Sequence, residues 1–143
     1  MKIGVFLVLL NEDRLLCLRR HNTGVEDGFY VVPMGGLHEG ETPKQAVIRE
    51  AAEEVNISIE EEDLTFVHTM YRKHTQPDGS FFYQQDLFFR AQQFSGIIRN
   101  LEPHKADDVR FFNLDELPEN LTPFIQRAIK CILSNVLYSQ YGF

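Results

Sequence analysis

Positions 42 to 56 restrict the fold more than any other stretch of this chain. Thr42, Pro43 and Gln45 spell a helix start: a hydroxyl to accept from free amides, a proline where no backbone donor is needed, and a glutamine spaced for a capping box. Stepping about 100° per residue from there, Val47, Ile48, Ala51, Ala52 and Val55 fall on one arc, and Glu50, Glu53 and Glu54 fall opposite. Asn56 follows, the best non-glycine residue for the left-handed conformation that closes a helix. The chain must therefore fit a helix, starting at about residue 43, that packs one face and crowds carboxylates on the other.

That crowding is unfavourable by itself. Glu50 lies three and four residues before Glu53 and Glu54, and each i,i+4 pair of like charges costs roughly 0.2–0.5 kcal/mol. A helix that only covers a core gains nothing from it. Hard divalent cations such as Mg²⁺ or Mn²⁺ take oxygen ligands, and phosphate oxygens complete their shells, so clustered carboxylates suit a site where metal and a phosphorylated substrate meet. Arg49, four residues before Glu53, is placed to hold one carboxylate while leaving others free. Ala46 falls on the carboxylate face, where a small side chain leaves room for ions, and Gly35 and Gly36 let backbone approach the same point.

The joint spacing is Gly35, five residues, Glu41, seven residues, Arg49-Glu50, two residues, Glu53-Glu54. At residue frequencies of roughly 0.07, six such fixed positions coincide on the order of 10⁻⁷ per starting point, which sets chance aside. The segment 35–57, "GGLHEGETPKQAVIREAAEEVNI", resembles the Nudix box of the Nudix hydrolases, G-x5-E-x7-R-E-U-x-E-E-x-G-U, with U a bulky aliphatic residue. The resemblance implies an α/β fold, an α/β/α sandwich whose mixed, curved β-sheet carries the box helix and a C-terminal helix. It also implies hydrolysis of a nucleoside diphosphate linked to another group, assisted by Mg²⁺ or Mn²⁺. By the same resemblance Glu50, Glu53 and Glu54 bind metal and the Gly35 carbonyl joins them. Arg49 orients a box glutamate, and Glu41 supports the loop together with Gly36. The general base is then Glu53, with Glu102 in "NLEPHKADD" as the acid on a distant loop and His104 behind it.

Ala51, Asn56 and Met34 depart from the family pattern, and none stands at a metal-ligand position. Met34 replaces the first glycine of the common Pro-Gly-Gly lead-in, which puts the detailed path of the loop in question.

The remaining chain reads as strands and one more helix. Residues 2–10 and 14–20 form a hairpin around "NED", and "GFYVVP" is a short strand. "GGLHEGE" is a loop. "LTFVHTMYRKHT" and "SFFYQQDLFFRAQ" form a second hairpin around "QPDG", and "DDVRFFNL" is a further strand. "TPFIQRAIKCILSNVLYSQ" predicts a C-terminal helix with Thr122 as N-cap. With 143 residues, 43% of them hydrophobic, and no linker, residues 1–143 make a single domain.

A net charge of -7 repels a nucleic-acid polymer, and no basic run offers an exception. Cys17 and Cys131, far apart in apolar stretches, suit reduced core thiols and a cytoplasmic protein without a membrane segment. The expected ligand is a nucleotide-type small molecule; a homodimer is left open. Arg19, Arg20 and His21, with Arg72 and Lys73, are candidates to meet phosphates. Phe29, Tyr71, Phe81, Phe82 and Tyr83 could supply a stacking ring. In "LPENLTP", Asn120 resembles the asparagine by which triphosphate-cleansing members read a purine edge. The favoured substrate is a nucleoside triphosphate, damaged ones included, ahead of a nucleoside-diphosphate sugar or dinucleotide. A nucleotide-sensing module without cleavage is the alternative of another class.

Overall fold

The computed structural model describes residues 1–143. Its centre is β1 (Lys2–Asn11), whose apolar run from Gly4 to Leu10 is buried throughout. A strand buried on every side chain needs cover on both faces, and two helices supply it. β1 turns at Glu12-Asp13 into β2 (Arg14–Arg20), with Glu12 at φ 58°. Then come β3 (Tyr30–Val31), β4 (Met34–Gly36) and helix α1 (Pro43–Val55). After a short 3-10 turn at Glu61–Asp63, β5 (Thr65–Thr75) and β6 (Phe81–Ala91) form the long hairpin. β7 (Ala106–Asn113), α2 (Pro123–Leu133) and β8 (Tyr138–Tyr141) complete the chain.

The sheet runs β3-β2-β1-β6-β5-β8, with β4 also on β1 and β7 on β2. β1 pairs parallel with β6 from Lys2↔Gln84 to Leu9↔Ala91, and β5 pairs parallel with β8; the other ladders are antiparallel, so the sheet is mixed. Register sets the sides. Val5 pairs with Gly35, which abuts Glu50 of α1. Phe6, pointing the other way, meets Phe124 of α2 edge-on at 5.8 Å and stacks on Phe88 at 4.6 Å. The helices thus lie on opposite faces, and one continuous core joins the layers.

The start of α1 matches expectation: Thr42 Oγ1 accepts from Gln45 N at 3.2 Å, Gln45 Oε1 accepts from Thr42 N at 2.9 Å, and Asn56 closes the helix at φ 67°. Three local expectations are corrected. Gly35 and Gly36 belong to β4 rather than to a loop, because β1 offers them a free edge. Ala46 is fully buried, so it leaves no room beneath an ion, whereas Ala52 is exposed. The C-terminal helix stops at Leu133: Asn135 takes φ 57°, Val136 N turns back to Cys131 O at 2.8 Å, and Tyr138–Tyr141 finds a strand partner in β5. The apolar period continues past that point, but Leu133, Val136 and Leu137 are exposed. At α2 the N-cap is Thr122, as expected, and its carbonyl accepts from Gln126 N at 3.0 Å; its hydroxyl makes no bond to the helix amides and donates to Tyr30 O at 3.0 Å.

Thr42→Ala removes a side-chain acceptor at the start of α1 and is expected to cost about 1 kcal/mol. Urea unfolding of the variant beside the wild type measures it.

Candidate active site

The site is assembled where α1 crosses β4. Arg49 organises it. Its Nη2 and Nε donate to the two Glu41 oxygens at 2.7 and 3.1 Å, and Nη2 also donates to Gly36 O at 3.1 Å. Its Nη1 donates to Glu50 Oε1 at 2.7 Å and reaches Glu53 Oε2 at 3.5 Å. All five N–H groups of a guanidinium thus have an oxygen within reach. The expected Arg49-Glu53 pair exists as the longest of these contacts; Glu41 and Glu50 are the principal partners. Glu41 also accepts from His38 N at 2.8 Å, and together these donors hold its carboxyl down at about 2.

Gly35 is glycine for a steric reason. A Cβ there would overlap the Glu50 carboxyl, so the bare backbone is what lets Glu50 lie against β4. Gly36 has no such neighbour; its contribution is the carbonyl that Arg49 grips.

Glu54 turns the other way, its two oxygens 3.2 and 3.4 Å from Met34 N. Burial first, and the nearby Glu50 and Glu102 after it, push its carboxyl well above the usual range, against the Met34 amide and Arg20. Burial also raises Glu50, against Arg49. Glu53 is the outermost of the three, with its side chain 53% exposed.

The carbonyls left free at the end of α1 fix the loop that carries Glu102. Glu54 O accepts from Leu101 N and Val55 O from Arg99 N, both at 3.1 Å, while Asn56 Nδ2 donates to Ile97 O at 3.0 Å. Glu102 is thereby brought to the box: Glu50, Glu53, Glu54 and Glu102 line one cavity of about 300 Å³ with Arg20, Thr23, His38 and Lys105. As the side chains stand, no three acidic, histidine or cysteine groups converge on a single point. Arg49 and Met34 hold Glu50 and Glu54 apart, so the expected ligands form one wall and not a closed shell. The donor set still fits a divalent cation: all hard oxygens, two of them on carboxyls whose ionisation is opposed by burial and by neighbouring glutamates.

A larger cavity of about 750 Å³ adjoins, sharing Arg20, Val31 and Met34 with the first. Arg72, His74, Phe82, Gln84 and Phe124 belong to it. Strand alternation decides which expected substrate residues reach these cavities. Arg20 lines both, whereas Arg19 turns to the far face and donates to Asp107 at 2.7 Å. Arg72 lines the large cavity; Lys73 instead lies over the Phe81 ring on the other side. Phe82 is in, while Tyr71 and Tyr83 stack on each other outside. Asn120 lines neither cavity and donates to Gly28 O at 2.8 Å, and His104 is likewise absent from both. Sequence reading missed Lys105, Thr23 and His38; for Lys105 the available signal was its place three residues after Glu102 in the same loop.

A sequence model of the NUDIX domain matches residues 1–132. A MutT-like protein of Streptomyces ambofaciens is 32% identical over 120 residues, 83% of this chain and 68% of the relative. An RNA pyrophosphohydrolase of Rickettsia bellii is 28% identical over 142 residues, covering 91% and 86%. The crystal structure of a MutT NUDIX hydrolase from Burkholderia pseudomallei superposes with a TM-score of 0.77 at 27% identity, over 94% of this chain and 97% of that one. The chain belongs to the Nudix hydrolase family, among its MutT-like members. It is accordingly a diphosphohydrolase by class, and none of its helices is long and apolar enough to cross a membrane.

The raised Glu54 carboxyl sets a sign for stability against pH. Glu54 binds its proton more tightly in the folded chain, so the stability this contributes is full below the ordinary glutamate range and is lost as pH rises through the elevated value. Without metal, the wild type should therefore lose melting temperature relative to Glu54→Gln as pH rises above the ordinary glutamate range. Adding Mn²⁺ at pH 8 should recover it in the wild type alone. Parallel melting curves across pH would contradict the assignment.

Proposed function

We propose that this chain is a divalent-metal-dependent diphosphohydrolase acting on a nucleoside triphosphate, damaged nucleotides included, to give the nucleoside monophosphate and pyrophosphate. The observation that carries the reading is the pairing of cavities. One is walled by Glu50, Glu53, Glu54 and Glu102, and the other is an adjoining space of about 750 Å³ that shares Arg20, Val31 and Met34 with it. A nucleotide has the same two parts, a polyanion and a larger, partly apolar body.

Glu50, Glu53 and Glu54, with the Gly35 carbonyl, would hold Mg²⁺ or Mn²⁺. Such an ion, when bound, polarises the phosphate oxygens and acidifies the attacking water. Glu53, the most exposed of the three and reached by Arg49 only at 3.5 Å, would take the proton from a water whose oxygen attacks phosphorus. The P–O–P bond breaks and pyrophosphate leaves. Glu102, in the wall of the same cavity, is the second acid able to take that proton. Arg20, Lys105 and His38 line the cavity and set positive or donor groups against phosphate oxygens not covered by metal. Arg49 has no N–H to spare, so it acts as a positioning residue, holding Glu50 and the Glu41 loop.

The relative named an RNA pyrophosphohydrolase supports a second substrate, the same anhydride at an RNA end. The net charge of -7 disfavours a polymer, which makes the mononucleotide the leading reading.

Glu53→Gln should lower kcat by roughly 10²-fold or more and leave nucleotide binding within a few-fold of wild type, by phosphate release and calorimetry with Mg²⁺. Unchanged turnover would remove Glu53 from the mechanism. Failure of the wild type to cleave any triphosphate would remove the proposed activity.

A further inference from the structure

The floor of the larger cavity carries a buried polar network that phosphate chemistry does not use. Arg72 is 8% exposed and Asp86 fully buried, with Arg72 Nε donating to Asp86 Oδ2 at 2.7 Å. Gln84 Nε2 donates to Asp86 Oδ1 at 2.6 Å. β5 and β6 place these groups side by side: Arg72 pairs with Gln84, Met70 with Asp86, and His74 with Phe82, all on one face of the hairpin. Gly4 completes the arrangement from β1, since a Cβ there would lie 2.5 Å from Gln84 Nε2 and 2.8 Å from Asp86 Oδ1. The network is packed against bare backbone.

Its hydrogen bonds fix polarity. A carboxylate paired with a guanidinium can only accept, so Gln84 must turn its nitrogen to Asp86. That leaves Oε1 as its free acceptor. Arg72 can only donate, and its Nη1 lies 3.3 Å from His74 Nδ1. Nδ1 therefore accepts, and the proton of the neutral ring sits on Nε2. Burial and the Arg72 charge lower the pKa of His74, which keeps the ring neutral near pH 7. Two rings flank the group: Phe124 under the Arg72 guanidinium at 3.9 Å, and Phe82 4.8 Å from His74, with the exposed Lys2 Nζ over the Phe82 ring at 4.3 Å.

A buried ion pair adds little to stability compared with apolar side chains of the same volume. It does hold neighbouring dipoles in one orientation. Because Asp86 neutralises Arg72, this pair offers no net charge to a phosphate. The floor offers one acceptor, Gln84 Oε1, and one donor, His74 Nε2–H, in a cavity that Phe82 and Phe124 also line, which suits a flat heterocycle carrying both a donor and an acceptor.

We infer that this floor reads a nucleobase, with Gln84 Oε1 accepting from the base, His74 Nε2–H donating to it and Phe82 packing on its face in place of the exposed Lys2 side chain, while Asp86 positions the readers. The inference rests on the reading of the site as nucleotide-cleaving and adds where and how the base is recognised. Arg72 and Asp86 act through Gln84 and His74, so they are positioning residues.

Calorimetric titration of the protein with the four common nucleoside monophosphates and with ribose 5-phosphate, which lacks a base, tests it. The wild type should bind at least one monophosphate roughly tenfold or more tighter than ribose 5-phosphate. Gln84→Met, which removes the acceptor, should erase most of that preference and leave ribose 5-phosphate binding unchanged. Should Gln84→Met fail to fold, His74→Phe, which keeps a ring and removes the donor, should do the same. No preference in the wild type, or a preference intact in the folded variants, overturns the inference. Because the readout is binding, a protein that discriminates bases yet cleaves no triphosphate would refute the proposed activity and not this assignment.

Discussion

The Arg49 guanidinium is the contact on which the site depends. One side chain on the second turn of α1 binds Glu41 through two nitrogens, takes the Gly36 carbonyl from β4 and reaches Glu50 and Glu53 on its own helix. Strand, loop and helix are therefore pinned at one point. Such charge-assisted, bidentate bonds have defined geometry as well as strength. The position of Glu50 follows from two conditions together, an attraction to Arg49 and the absence of a side chain on Gly35. Either alone would leave the carboxylate free to turn to solvent.

Unfavourable electrostatics and the proposed chemistry fall on the same residues. Glu50 and Glu54 sit where burial opposes their charge, and Glu102 is fastened across from them by backbone bonds to the last carbonyls of α1. A fold selected only for stability would not assemble these groups. Its apolar counterpart is β1, whose buried run holds the two helices on opposite faces and so supports both cavities. The covering helices fix the geometry that the carboxylates would otherwise disrupt.

What could be read in the sequence follows from the range of each interaction. The cap at Thr42 and Gln45 and the stop at Asn56 are set within a few residues, and the structure bears them out, whereas the two faces of α1 differ from the helical period at Ala46 and Ala52. The hairpins around Asp13 and Asp78 are local too. Pairings distant in sequence were hidden: Met34–Gly36 as a strand on β1, and Tyr138–Tyr141 as a strand on β5, where helical periodicity pointed to continued helix. Arg19 and Arg20 are adjacent in sequence, but period-two alternation sends one to Asp107 and the other to both cavities. Choosing between them requires the register of β2 on β7. Asp86, Gln84 and His74 escaped notice for a related reason, since residues from two strands become one network only when the hairpin register is known.

The central claim, that the carboxylate wall of α1 is a metal seat, is tested most directly by anomalous diffraction from a crystal soaked in Mn²⁺. The account predicts an anomalous peak bounded by Glu50, Glu53 and Glu54, with metal–oxygen distances of about 2.1 Å, and with Glu54 drawn away from the Met34 amide. A peak elsewhere on the molecule, or none beside an intact and unchanged α1, would contradict it.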